Sequence, residues 1–168
     1  MVIIFILVTL SVPAFEQVRV RVEKVNCMGN LRQLYTGANS YVQDKGQWPQ
    51  VNPTVYKQNN GAYDNAWIED LMPYGIGRAT WICPTIQRQL GGPDYTQTDN
   101  YRTDYIAMPF DSKHLTPYKW PEYPWFVERG NVHGNGNLMI EANGSVTELT
   151  QMQTAGGSTS GAPPVPSH

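Results

Sequence analysis

Two cysteines, three histidines and a scatter of aspartates are the residues of this chain with chemistry to offer. Cys27 and Cys83 are its only cysteines. No CxxC, CxxCH or paired Cys/His spacing surrounds them, so no local pattern points to zinc, haem or an iron–sulfur cluster. Two readings stay open for the pair: a disulfide if the chain is exported, or two buried free thiols. His114, His133 and His168 have no serine, cysteine or acid beside them in a nucleophile motif such as G-x-S-x-G. A hydrolase or metal-dependent enzyme built on His133 or His114 would need a convergent polar pocket that no motif announces, so we expect no enzyme. His133 reads instead as a packed or hydrogen-bonded residue at a strand end near an Asn143-Gly144 turn. Asp94, Asp99, Asp104 and Asp111 have no EF-hand spacing and read as a solvated acidic loop.

Aromatic side chains crowd the stretch from Tyr95 to Phe126. They suit two roles, packing a small sheet that has little aliphatic core, or stacking half-exposed on sugars or neighbouring subunits. Pro109, Pro117, Pro121 and Pro124 argue against regular central strands there, so the stretch is expected to be a structured loop region. Beyond it, Leu138, Met139 and Ile140 precede Asn143-Gly144, and Val146 and Leu149 follow, which predicts a hairpin over about 136–142 and 145–150. Asn143-Gly144-Ser145 also spells a glycosylation acceptor, but a tight turn explains the same residues.

The element that must position Cys27 is a long helix. Met1 to Phe15 carries no charge, and Glu16 to Lys24 is a charged stretch that follows it directly. No Lys or Arg precedes the apolar run and no small-x-small site follows it, which argues against a cleaved signal peptide. The run is also shorter than the ~20 apolar residues that span a bilayer. Val18, Val20 and Val22 alternate with charges as in a strand, yet Phe15, Val18, Val22 and Val25 also fall at helical spacing. Beyond them Leu31, Leu34, Tyr35, Ala38, Tyr41 and Val42 lie on one helical face, with Arg32, Gln33, Asn39 and Gln43 elsewhere. Gly46 and Pro49 then supply stop signals, predicting a helix from near Met1 to about Asp44. At 1.5 Å per residue it would be roughly 65 Å long, too long to bury in one small domain. Its first half must therefore meet lipid or other subunits.

Composition sets the remaining bounds. The 168 residues suit one domain with appendages, and a net charge of −2 gives no basic field for nucleic acid. Only 15% of residues are charged, against roughly 25% in typical soluble domains. With 15 Gly, 13 Pro, 10 Tyr and 5 Trp, the chain suggests a loop-rich, partly β structure with polar aromatics outside. The last stretch, 154–168, is Gly/Ser/Pro-rich and reads as a flexible tail.

Several ordered motifs resemble those of type IV pilins and type II secretion pseudopilins, in particular the pseudopilin-like proteins with a His-x9-Asp-Gly motif. The apolar run ending at Pro13 leads into EQVRVRVEK and then Asn26-Cys27-Met28-Gly29-Asn30-Leu31-Arg32-Gln33-Leu34, similar to the family's Cys-Leu-Asn-Asn-Leu-Arg-Gln motif at its usual distance. Tyr41 to Pro49 resembles its Tyr-x-x-Asp-x-Gly-x-Phe-Pro turn. Trp67 to Tyr74 resembles its Trp-x-x-x-Leu-x-Pro-Tyr segment, and Trp81-Ile82-Cys83-Pro84 its aromatic-x-Cys-Pro motif. His133 is followed after nine residues by Asn143-Gly144, where the family has Asp-Gly. Asn before Gly suits the same turn. By the Pro13 register, Met1 falls about nine residues inside the family's mature helix, so its prepilin-peptidase site and acidic residue are not in this sequence. An upstream extension is expected on that basis.

The resemblance implies an α+β, pilin-like fold. A long N-terminal helix would pack on a small C-terminal antiparallel sheet with long loops. Residues 1–25 would be the stem, 26–153 the globular head and 154–168 the tail. Cys27 and Cys83 would be disulfide-bonded. Ile3, Ile4, Phe5, Ile6, Leu7, Leu10 and Pro13 would lie in the core of a helical filament of identical subunits, with Pro13 loosening the helix near 9–13. Before assembly the stem would sit in the inner membrane, and a prepilin peptidase and an assembly ATPase would be partners. Calcium held by carboxylates of the β-region is a further implication. The alternative is a soluble exported carbohydrate-binding module using its Trp/Tyr-rich loops.

Overall fold

One stripe of side chains organises the molecule. Cys27, Leu31, Leu34, Ala38 and Val42 recur every three or four residues and none has any exposed surface. They lie on α1 (Val2–Lys45), a single helix of 44 residues. The structure, a computed structural model, describes residues 2–51, 60–91 and 102–149; the side chains of 2–14 and of Asn60 lie outside that description. The helix ends as expected: Gly46 takes a φ of +69°, and its N–H caps the Val42 carbonyl at 2.9 Å. The chain then folds Trp48 back under the stripe, fully buried.

Two short helices follow, α2 (Asn60–Leu71) and α3 (Pro84–Leu90). Between them come 3-10 turns at Met72–Tyr74 and Arg78–Trp81. Proline opens α3 where a missing N–H costs nothing, and Gly91 closes it in the left-handed region. Four strands then form an antiparallel meander in the order β1 (Tyr105–Ala107), β2 (Pro124–Glu128), β3 (Leu138–Glu141), β4 (Val146–Glu148). The fold is thus α+β, a long N-terminal helix packed on a small antiparallel sheet, as expected.

Two expectations are corrected. The Tyr95–Phe126 region is not all loop: β1 and the start of β2 lie within it, and β2 is a central strand. Pro124 is tolerated because it opens β2. A register shift between Pro124 and Phe126 lets the adjacent Trp125 and Phe126 both point inward. Nor are the aromatics outside. Trp48 is their hub, with ring centroids 4.9 Å from Trp125, 5.0 Å from Phe110, and 5.9 Å from both Trp67 and Phe126. These rings pack alongside the buried Leu138 and Ile140 of β3 in one core. Each fully buried large side chain contributes roughly 1.5–3 kcal/mol.

Polar side chains of α1 hold the loops. The Asn30 amide donates to the Ile82 carbonyl at 2.8 Å, the Tyr35 hydroxyl to the Ala142 carbonyl at 3.0 Å, and the Tyr118 hydroxyl to Asn39 at 2.7 Å. Cys27 and Cys83 form a disulfide with Cα atoms 5.3 Å apart, joining α1 to the residue that caps α3. Gly37 lets the segment after the first 3-10 turn approach: a Cβ there would overlap Ile76 at Cγ1 and Cδ1.

Two expectations follow from this junction. Replacing both cysteines by alanine opens a loop with a sequence separation of 56, which the chain-entropy argument values at about 4 kcal/mol. Chemical denaturation should show that loss, and unreduced protein should have no alkylatable thiol by intact mass. Gly37→Ala should destabilise although alanine favours helix by about 1 kcal/mol, because buried Ile76 has to move. A more stable Gly37→Ala variant in the same denaturation assay would show that Ile76 yields freely.

Candidate functional site

The first candidate site is the free end of α1. Every residue from Phe15 to Val22 is exposed. Phe15 (71%), Val18 (58%), Val22 (52%) and Val25 (63%) are apolar and spaced by three, four and three residues, so they share one helix face. Glu16, Arg19 and Arg21 occupy other faces. An apolar stripe of this kind on an isolated helix marks a surface made to be covered. Ile3, Ile4, Phe5, Ile6, Leu7, Leu10 and Pro13 belong to the same helix, which continues through position 13. Their side chains lie outside the described residues. Among the described residues no helix is long and apolar enough to cross a membrane.

The head grips α1 first at Glu23. This carboxylate accepts from Arg88 Nε at 2.9 Å, Arg88 Nη2 at 3.0 Å, the Thr85 hydroxyl at 3.2 Å and Arg19 Nε at 3.2 Å. Its bond to Arg88 outweighs burial and holds its pKa below the usual value. Lys24 pairs with Glu148 of β4. The exposed run therefore ends where the head takes hold, through Arg88 and Thr85 on Glu23 and Glu148 on Lys24.

The second candidate is a buried cluster at the disulfide. The sequence has no acid or cysteine beside His133, but the fold brings a carboxylate and a disulfide sulfur to it. His133 Nε2 lies 3.8 Å from Cys83 Sγ and 3.3 Å from Glu128 Oε1. Both side chains are sealed, with 1% of the His133 and none of the Glu128 side-chain surface exposed. The four donors of Cys27, Cys83, Glu128 and His133 lie within 4.8 Å of one another. They come from α1, the α3 cap, the end of β2 and the β2–β3 loop. No local spacing could have announced them. The geometry is not that of a nucleophilic triad: one ring nitrogen faces both the sulfur and the carboxylate, and Nδ1 has no partner among the described residues. The position of His133 is a correction. It lies in the loop that leads into β3, whereas Asn143-Gly144 lies beyond the other end of that strand. The turn itself is as expected, with Gly144 at φ +83° and Asn143 Oδ1 accepting the Ser145 N–H at 2.7 Å.

The remaining candidates disperse. Asp104 is not a solvated loop residue: it is buried, accepts the Cys83 N–H at 2.8 Å and pairs with Arg102 at 3.1 Å. Burial pushes its pKa up. Asp111 is exposed, and Asp94 and Asp99 lie outside the described residues, so no carboxylate cage for calcium assembles among those described. His114 is exposed and His168 lies outside the described residues. No described Trp or Tyr is fully exposed.

Glu23 makes the stem anchor sensitive to acid. A carboxylate whose folded pKa is depressed contributes stability above its unfolded value, here 4.5, and loses it as pH falls through the folded value. The stability difference between wild type and Glu23→Gln, measured by denaturation in mild detergent, should be full at pH 7 and shrink below pH 4.5. A difference that stayed constant from pH 7 down to the lowest pH at which the head remains folded would show that the charge contributes nothing.

Comparison with known proteins adds no relative: no family model, no curated protein and no solved structure matches this chain.

Proposed function

We propose that this chain is a structural, non-catalytic subunit of an extracellular filament of the type IV pilus or type II secretion pseudopilus kind, assembled through α1. The observation that carries the reading is a helix that outruns its own head. Among the described side chains of α1, those from Phe15 to Val22 are all exposed and the first that the head buries is Glu23; Phe15, Val18, Val22 and Val25 stand exposed in line. Left in water, each forgoes a large part of the roughly 1.5–3 kcal/mol its burial would release. That is a heavy burden for a domain with ~5–15 kcal/mol of net stability. A bundle of identical stems relieves it, since helices pack by interlocking their side-chain ridges. Lipid of the inner membrane would shelter the stem before assembly, with a prepilin peptidase and an assembly ATPase as partners, as the motif resemblance implies. The soluble carbohydrate-binding reading draws little support from the described rings, most of which pack in or against the core around Trp48, with Trp120 and Tyr123 half-buried outside it.

The reading is tested on the stem alone. Phe15→Asp combined with Val22→Asp alters only exposed side chains, so head stability should change by less than about 0.5 kcal/mol. Filaments seen by negative-stain microscopy of cell-surface material should disappear. Ile6→Asp with Leu10→Asp should do the same while leaving a folded head. Normal filaments from either double variant, or a filament reconstruction with residues 1–25 facing solvent, would overturn the reading.

A further inference from the structure

The buried cluster at the α1–α3 junction has more polar chemistry than a disulfide requires. A disulfide needs two sulfurs and a fitting backbone. Here it is flanked by a sealed carboxylate and a sealed imidazole. Among the described residues, Glu128 Oε2 and His133 Nδ1 have no hydrogen-bond partner. Among the described residues, the only partner of the Glu128 carboxylate is the ring of His133. A buried carboxylate with so little compensation is costly, and such a group calls for a cation.

We propose that, when the Cys27–Cys83 bond is reduced, Cys27, Cys83, Glu128 and His133 hold one zinc-type divalent metal ion. The distances fit. Bonds of about 2.3 Å to sulfur and about 2.0–2.2 Å to nitrogen or oxygen give tetrahedral edges of roughly 3.3–3.8 Å. Two edges already have that length: 3.8 Å from Cys83 Sγ to His133 Nε2, and 3.3 Å from Nε2 to Glu128 Oε1. The two sulfurs must separate, and the other donor pairs, which lie no more than 4.8 Å apart, settle to the same edge length. Two thiolates with an imidazole select zinc over magnesium or calcium. Four protein ligands in a sealed pocket make the site structural, with no open position for a substrate.

The two states exclude each other because they use the same sulfurs. A dithiol reductant gives two electrons and two protons to the Cys27–Cys83 bond, leaving two protein thiols and becoming a disulfide itself. The metal ion then displaces both thiol protons to the buffer, and two metal–sulfur bonds form. His133 binds through Nε2, and Glu128 through a carboxylate oxygen. The junction between α1 and α3 is thus held by a covalent bond in the oxidised chain and by the ion in the reduced one. The inference stands apart from the filament reading, since it concerns a site within one head.

The experiment uses the full chain in mild detergent, reduced with a dithiol and desalted without oxygen. Titration with Co2+ should give the intense visible bands of tetrahedral thiolate-bound cobalt, saturating at one equivalent and bleached by Zn2+. The oxidised chain should give none. His133→Ala and Glu128→Gln should each weaken binding at least about 10-fold, the loss caused even by removing a ligand's hydrogen-bond partner. X-ray absorption at the zinc edge of the loaded wild-type protein needs no variant, and should read two sulfur and two nitrogen or oxygen ligands. Absence of the cobalt bands in reduced wild type, equal binding by the oxidised chain, unchanged affinity in both variants, or a different ligand count would each overturn the proposal.

Discussion

The buried stripe of α1 is the surface on which the rest of the molecule is laid. Cys27, Leu31, Leu34, Ala38 and Val42 run along one side of the helix for its last five turns. Trp48, Trp125, Leu138 and Ile140 close over them in one core. Truncating a leucine in such a position typically costs 2–5 kcal/mol, far more than a surface contact. The stripe is discontinuous with the apolar face before it. Phe15, Val18, Val22 and Val25 also follow helical spacing, yet the head does not reach them. One helix thus carries two apolar surfaces with different fates, one satisfied within the chain and the other presented outward.

A sheet with strands of three to five residues cannot set its own geometry. Buried charge does part of that work here. Asp64 on α2 accepts from Arg129, just after β2, at 2.9 Å and from the Thr103 N–H at 3.3 Å. Asp104 holds the Cys83 N–H and Arg102. Burial raises the pKa of both acids, against the opposing pull of their arginines and hydrogen bonds. The Tyr105 phenol, on β1, is pushed above its ordinary range by the same cause. Removing one partner from such a pair leaves an uncompensated charge, so these contacts fix which loop lies where even if they add little net stability.

Much of this was legible in the residues, and the rest was hidden for identifiable reasons. The helix was readable because 3.6-residue periodicity persists from Leu31 to Val42 and because Gly46 and Pro49 stop it. Asn143-Gly144 was readable because a tight turn needs a residue that accepts positive φ. The strands β1 and β2 were not. Pro109, Pro117 and Pro121 fall between them, and Trp125 and Phe126 are both buried through a register shift, so the alternation that marks a strand is broken. The start of α3 carried a usable signal in Pro84 at its first position. The inward placement of the aromatics was decided by tertiary packing around Trp48, which no local pattern reports. The Cys–His–Glu cluster draws on four separated segments, so it exists only once the fold does.

The distribution of apolar surface then bears on where a partner sits. Among the described residues, the indole N–H groups of Trp48, Trp67 and Trp81 find no acceptor, whereas that of Trp125 donates to the Pro117 carbonyl at 2.9 Å. The head accepts those unmade hydrogen bonds to keep its rings inside, a cost of about 1–3 kcal/mol each. A chain that spent its aromatics on a sugar-binding surface would present them, with their polar edges wet. This one buries most of those described and leaves an aligned apolar stripe exposed on α1, from Phe15 to Val25 across the Glu23–Arg88 anchor. The anchor fixes the stem's direction relative to the head, and that is the property a repeating assembly needs: each copy must offer the same face at the same angle.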